Sequence, residues 1–288
     1  MPLLGLKHAL LADLRAALQP AVAALADAPM PRPAKSARIN DLIAAALPGL
    51  AGPRQAALAP GAAASAAMVV EYCRTVVALE CRHHVWPYNA IDFARRVGER
   101  WERFCAAAWA GADAAVITRL DLPAFPDIRA DLRRRIAERV PEPEARRAVL
   151  VDVDRLLRIG GEPNIRADLS FRLRGRAHVI DFKSGFGSNE HGNKERIVAI
   201  GNALQIWDPA IRLLLLVRQE RNNHYLRAIA QGGVWEVVCG DAAYDTIAGI
   251  TGADVAEVRR GAVDFGADLA PTLHRHLRDI GAADCLAW

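Results

Sequence analysis

Two acids and a lysine stand where the core of a sheet is expected. Asp168, Asp181 and Lys183 lie in the stretch IRADLSFRLRGRAHVIDFKSG, Ile165 to Gly185. Residues 165–173 and 177–183 alternate between apolar and polar, the mark of half-buried strands. Gly175-Arg176 suits a two-residue type II′ turn, with glycine at the first central position. That register sets Leu173 against His178, Phe171 against Ile180 and Leu169 against Phe182. On the other face Asp168 opposes Lys183, and Ser170 opposes Asp181. The hairpin therefore sorts the apolar residues together and gathers the charges. Two neighbouring carboxylates repel, and one lysine neutralises only one of them. A divalent cation resolves the conflict: Mg²⁺ takes oxygen ligands, keeps several waters and needs one or two carboxylates. The backbone carbonyl of Phe182 is a further candidate ligand. Lys183 is placed to hold an attacking water or a phosphate oxygen. Such parts can activate water and stabilise charge on a phosphodiester.

Asp168, followed thirteen residues later by Asp181-Phe182-Lys183, resembles the PD-(D/E)xK motif of type II restriction endonucleases and related nucleases. Ala167 stands where that pattern often has proline. Upstream, Arg96-Val97-Gly98-Glu99-Arg100-Trp101-Glu102 resembles the R-x-G-x-x-x-E element of some restriction endonucleases, in which a helix supplies a further acid. On a helical wheel Glu102 lies at the edge of the apolar stripe, whereas Glu99 faces away; Glu102 is the acid carried over. The resemblance spans about 95 to 217, with firm matches in two short segments. It implies Asp168 and Asp181 as metal ligands, Lys183 as the residue that positions the nucleophile and Glu102 as an accessory catalytic acid. It implies Mg²⁺ as the cofactor, with no organic cofactor. The expected partner is double-stranded DNA, cut to leave 5′-phosphate and 3′-hydroxyl ends by a type II enzyme of a restriction-modification pair. A two-fold site would suit a homodimer.

The elements that must position these residues follow from periodicity. Residues 1–65 are alanine-rich and broken by prolines, which predicts short helices joined by loops. Helical spacing runs from Met68 to Glu80, and again from near Asp92 through Val97, Trp101, Phe104 and Ala108. A charged helix is expected from Ile128 to Arg139; Ala145 to Leu157 fits helix or strand. After the hairpin come a polar, glycine-rich loop, a helix over 194–206 and a buried strand from Ile211 to Val217. Tyr225–Ala230 and Val234–Val238 read as further strands, and helices follow from Asp241. The expected fold is α/β: a restriction-endonuclease-like mixed sheet flanked by helices, with a largely helical N-terminal half. The expected division is a helical extension over 1–65 and a nuclease domain over 66–288, with the catalytic hairpin at 165–183.

The loop after Lys183 offers Ser184, Ser188, Asn189, Asn193, Lys194 and Arg196 as DNA contacts; a solvated loop would look the same. Arg221, Asn222 and Asn223 follow the buried strand and carry side chains that read base edges; a plain turn is the other reading. Cys81, His83 and His84 lack a second ligand pair for zinc. The net charge of +4 permits a polyanionic partner without demanding one. Five scattered cysteines point to a reduced, cytoplasmic protein. No unbroken apolar run has the length of a membrane span, and no secretory signal is read at the start. Three other readings stay open: a repair or phage-type nuclease without strict specificity, a DNA-binding module whose acids pair with Lys183, and a helical protein with an ordinary hairpin.

Overall fold

The computed structural model describes residues 3–113, 115–185 and 191–288. It is an α/β structure with a helical N-terminal half and a five-stranded mixed sheet flanked by helices. The chain divides into two compact units, residues 1–112 with 244–288, and residues 113–243. The division does not fall at residue 65 because the C-terminal segment returns to the helical unit. There Asp268 accepts from Lys7 Nζ at 2.9 Å and from the Tyr72 hydroxyl at 2.7 Å.

In the helical unit α1 (Leu3–Asp27), α2 (Arg32–Ala56), α3 (Ala63–Val85) and α4 (Ala90–Ala106) run in succession. Residues 3–56 form two long helices rather than several short ones. Pro20 lies inside α1, and Pro48 and Pro53 lie inside α2. An interior proline removes one ladder hydrogen bond; a helix of 25 residues keeps most of the others. By length and composition α1 is apolar enough to cross a membrane, with a mean hydropathy of 1.4 over its most apolar window. Its charges Lys7, Asp13 and Arg15 break any unbroken run. Its stripe Leu6, Leu10, Leu14, Leu18, Val22 and Leu25 is buried, as in an amphipathic core helix. On α4 the stripe Phe93, Val97, Trp101 and Phe104 is fully buried, as its spacing predicts.

The sheet unit contains β1 (Ile117–Arg119), α5 (Phe125–Arg139), α6 (Pro143–Gly160), β2 (Leu169–Leu173), β3 (Arg176–Lys183), α7 (His191–Trp207), β4 (Arg212–Val217), α8 (His224–Gln231) and β5 (Glu236–Cys239). Strands are ordered β1-β2-β3-β4-β5. The first three pair antiparallel; β3–β4 and β4–β5 pair parallel. Each parallel pair needs a crossover, and α7 and α8 supply them. Ile197, Ile200 and Leu204 of α7 and Leu226 and Ile229 of α8 pack with Ala177, Val179, Leu213, Leu215 and Val217. Both crossovers thus cover one face, as two successive crossovers of one hand require. Residues 225–230, read as a strand, belong to α8. Asn223 caps that helix by accepting from the amides of Tyr225 and Leu226 at 3.0 and 3.1 Å, and Leu226 and Ile229 form its buried stripe.

The hairpin register differs from the expected one by two residues. Phe171 pairs with His178, Leu169 with Ile180 and Leu173 with Arg176. The turn is Arg174-Gly175, with φ of 49° and 83°. Two positive φ values make a type I′ turn, whose twist matches that of the strands it joins. Glycine takes the second central position and arginine accepts the left-handed one. Because the shift is two residues, every side chain keeps its face. Only the cross-strand partners change.

Candidate active site

Asp181 and Lys183 end β3 on the face that α7 covers, continuing the row Ala177 and Val179. Asp181 is buried at 4% exposure. Lys183 is half-buried, and its Nζ pairs with Asp181 Oδ1 while donating to the Phe182 carbonyl at 2.8 Å. The ammonium thus sits between a carboxylate and a carbonyl oxygen.

Asp168 is not opposite Lys183 as the expected register has it. It lies one residue before β2, where the ladder has ended, and its Oδ2 accepts from the Phe182 amide at 2.7 Å. The side chain replaces the backbone acceptor that a longer β2 would have offered. It therefore approaches beside β3 instead of standing over the face, and meets the backbone of Phe182, the residue between Asp181 and Lys183. Asp168 is exposed to solvent. Partial burial, and then the charge of Asp181, raise its pKa above the usual carboxylate range; the Phe182 amide, Lys183 and Arg196 oppose the rise.

Arg196, near the N-terminal end of α7, brings Nη2 to 3.9 Å from Asp181 Oδ2. It also donates to Asn193 Oδ1 at 3.1 Å. Lys194 pairs with the neighbouring Glu195 at 2.9 Å. Ser184 follows Lys183 and is half-buried. Ser188 and Asn189 lie outside the described residues. The chain after β4 returns to the same place: the Arg218 amide donates to the Lys183 carbonyl at 2.9 Å, and a Cβ added at Gly185 would lie 3.2 Å from Gln219 Oε1. Arg221 and Asn222 are exposed on that segment. Asn223 spends its side-chain oxygen on the α8 cap. Glu102 is half-buried on α4 of the helical unit, so the sheet unit assembles its trio from its own strands.

The trio lies at the carboxyl ends of the parallel strands β3 and β4, where open α/β sheets leave a crevice. Its donors are the carboxylates of Asp168 and Asp181 and the Phe182 carbonyl, all hard oxygens of the kind Mg²⁺ prefers. Two carboxylates close enough for one to raise the other's pKa, with an ammonium lodged among the oxygens, form a donor set suited to a small cation. Among the described residues no group of three His, Cys, Asp or Glu side chains gathers around a common point, and Mg²⁺ does not require three. Thiol chemistry has little support elsewhere, since burial pushes the Cys73 and Cys81 thiols up to about 12.

No family model, curated protein or solved structure matches the chain.

Sequence reading missed Arg100. Position 100 falls on the α4 stripe, three residues after Val97 and four before Phe104, and the arginine there is buried at 4% exposure. A charged residue in register with an apolar stripe was the available signal.

Proposed function

We propose that the protein is a Mg²⁺-dependent endodeoxyribonuclease of the PD-(D/E)xK type, acting on double-stranded DNA as a type II restriction endonuclease does. The convergence of Asp168, Asp181 and Lys183 at the carboxyl end of β3 is the observation that carries this reading. The hairpin followed by a crossover helix and a parallel strand agrees with the restriction-endonuclease-like fold the motif implies.

In this reading Asp168, Asp181 and the Phe182 carbonyl hold the cation. Bound Mg²⁺ supplies Lewis-acid stabilisation of the phosphoryl oxygens and a more acidic water. Lys183, whose ammonium now rests on Asp181 and Phe182, turns toward the water or the phosphate and positions the attack. The Phe182 amide orients the Asp168 carboxylate, which would be one of the groups to hold the cation. Arg196 lies beside Asp181 and can take the charge that develops on the phosphate. Ser184, Asn193, Lys194, Arg221 and Asn222 stand near enough in the chain to contact DNA. Sequence-specific cutting of a two-fold site would call for a homodimer.

Incubation of the purified chain with phage DNA, with Mg²⁺ or with EDTA, tests the proposal on a gel. Discrete metal-dependent fragments are the expected result. A metal-dependent smear would move the reading to a nuclease without strict specificity. The ion pair between Lys183 and Asp181 also suits a non-catalytic DNA-binding module. That reading gains the ground if DNA is bound and never cut with any divalent cation.

A further inference from the structure

We propose that the helical unit carries a second site, an anion pocket floored by Arg100 and walled by Arg82 and Arg96, that takes a phosphate group. The site is built by α2, α3, α4 and the loop that joins the last two. Ser36, Asn40, Arg82, Trp86, Arg95 and Arg96 are among the residues lining a cleft of about 420 Å³. A recess of about 20 Å³ at the same place shares Ser36, Asn40, Arg82 and Arg96 with the cleft and reaches Arg100.

Arg100 is the residue that needs an explanation. It is 96% buried, since only 4% of its surface is exposed. Nη2 donates to Asn40 Oδ1 at 3.3 Å. Nη1 is buried and has no hydrogen-bond partner among the described residues. A buried guanidinium with an unmade bond is strongly unfavourable, so such a group is retained where something supplies the missing acceptor. Its surroundings push the same way. Burial, and then Arg103, lower its pKa to about 10; Arg74 and Arg96 add to the fall, while Glu71 opposes it. Glu71 is engaged with Arg74 at 3.2 Å, and its other oxygen is buried without a partner. A direct bond between Glu71 and Arg100 would satisfy both groups, and the structure does not make it.

The walls are prepared for an anion. Arg32 and Arg82 sit over the Trp86 ring, 3.8 and 4.1 Å from its centroid, which holds two guanidiniums in place. Arg82 also donates to the Trp86 carbonyl at 2.9 Å. Arg96 pairs with Glu99 at 2.7 Å, and Arg95 with Glu99 and Asp92 at 3.3 and 3.9 Å. Arg32, Arg82, Arg95, Arg96 and Arg100 thus outnumber the acids beside them, Glu71, Asp92 and Glu99. The planar fork of arginine matches the oxygens of phosphate, and Arg82, Arg95 and Arg96 line one cleft, which favours a phosphate with more than one free oxygen. Such a group comes either as a free phosphate compound or as the 5′-phosphorylated end of a nucleic acid strand.

Titration calorimetry on the full chain, with EDTA present and ionic strength held with sodium chloride, separates the cases. The probes are inorganic phosphate and an oligonucleotide with and without a 5′-phosphate. Saturable binding of inorganic phosphate is expected, weakened about tenfold or more in Arg82→Gln and Arg96→Gln and abolished in Arg100→Met. Tighter binding of the phosphorylated oligonucleotide than of its unphosphorylated twin, lost in the same variants, assigns the pocket to strand ends; phosphate binding without that difference assigns it to a free anion. The proposal is overturned if phosphate gives no saturable heat beyond that of chloride, or if Arg100→Met binds it as the parent does. Should Arg100→Met fail to fold, unchanged affinity in both glutamine variants overturns it equally. DNA cleavage plays no part in the readout, so this test stands apart from the one for the sheet unit.

Discussion

At the scale of single residues, Asp168 is held where its charge is disfavoured. Folding raises its pKa, so the folded chain holds this proton more tightly than the unfolded one. Its contribution to stability is therefore lost as pH rises through the raised pKa, and at neutrality the ionised group works against the fold. Asp168→Asn keeps an oxygen for the Phe182 amide and removes the charge. Thermal melts of the metal-free protein should show the variant more stable than the parent at neutral pH, with the difference fading in acid. Equal melting at neutral pH would mean that neither desolvation nor Asp181 disfavours the ionised group. The trio was legible in the sequence because a step of two along a strand keeps Asp181 and Lys183 on one face. The mode of approach of Asp168 was not. It depends on where β2 stops pairing, and alternation alone does not mark that point. Asn223 shows the same limit: its type suits base recognition and helix capping alike, and the start of α8 decided for the cap.

At the scale of elements, α7 must lie close against the chain entering β5. Trp235 donates through Nε1 to the Ile197 carbonyl at 2.9 Å. A Cβ at Gly201 would run into the same Trp235 nitrogen and sit 2.8 Å from Val234 Cγ1. Gly201→Ala should therefore destabilise the protein by about 1–3 kcal/mol in urea unfolding, the usual penalty for overpacking. Unchanged stability would show that the indole moves freely. Loss of the α8 cap in Asn223→Ala should cost about 1 kcal/mol in the same assay. If Asn223 instead reads DNA, stability would hold and affinity would fall. Alternation marked β3, an unbroken apolar run marked β4 and helical spacing marked α4, and α5 and α7 were read as helices as well. The hairpin register was legible only to its parity. Arg174-Gly175 and Gly175-Arg176 are both acceptable turns, and the choice between them rests on strand twist. The segment 225–230 misled because six residues hold too few apolar positions to separate a period of two from one of 3.6.

At the scale of the whole molecule, the sequence of the sheet unit, residues 113–243, interrupts that of the helical unit, residues 1–112 and 244–288. Sequence order alone conceals such an arrangement. The contacts that close the helical unit, such as Lys7 to Asp268, span 261 positions. A net charge of +4 is too small to hold DNA through the general field, so the proposed DNA binding would have to come from clustered arginines and lysines. The affinity of an uncleaving variant for duplex DNA should fall at least about tenfold between roughly 50 and 200 mM salt, because each neutralised phosphate releases counterions. An affinity indifferent to salt would argue against phosphate contacts altogether.

The most direct measurement is the rate of Mg²⁺-dependent cleavage of duplex DNA by the parent and by Asp181→Asn, purified side by side and matched for thermal stability. The account predicts cleavage by the parent and a loss of at least about a hundredfold in the variant, since the substitution removes a carboxylate that would hold the proposed cation and the anchor of Lys183. Equal rates in the two proteins would contradict it, because the activity could not then arise at the end of β3.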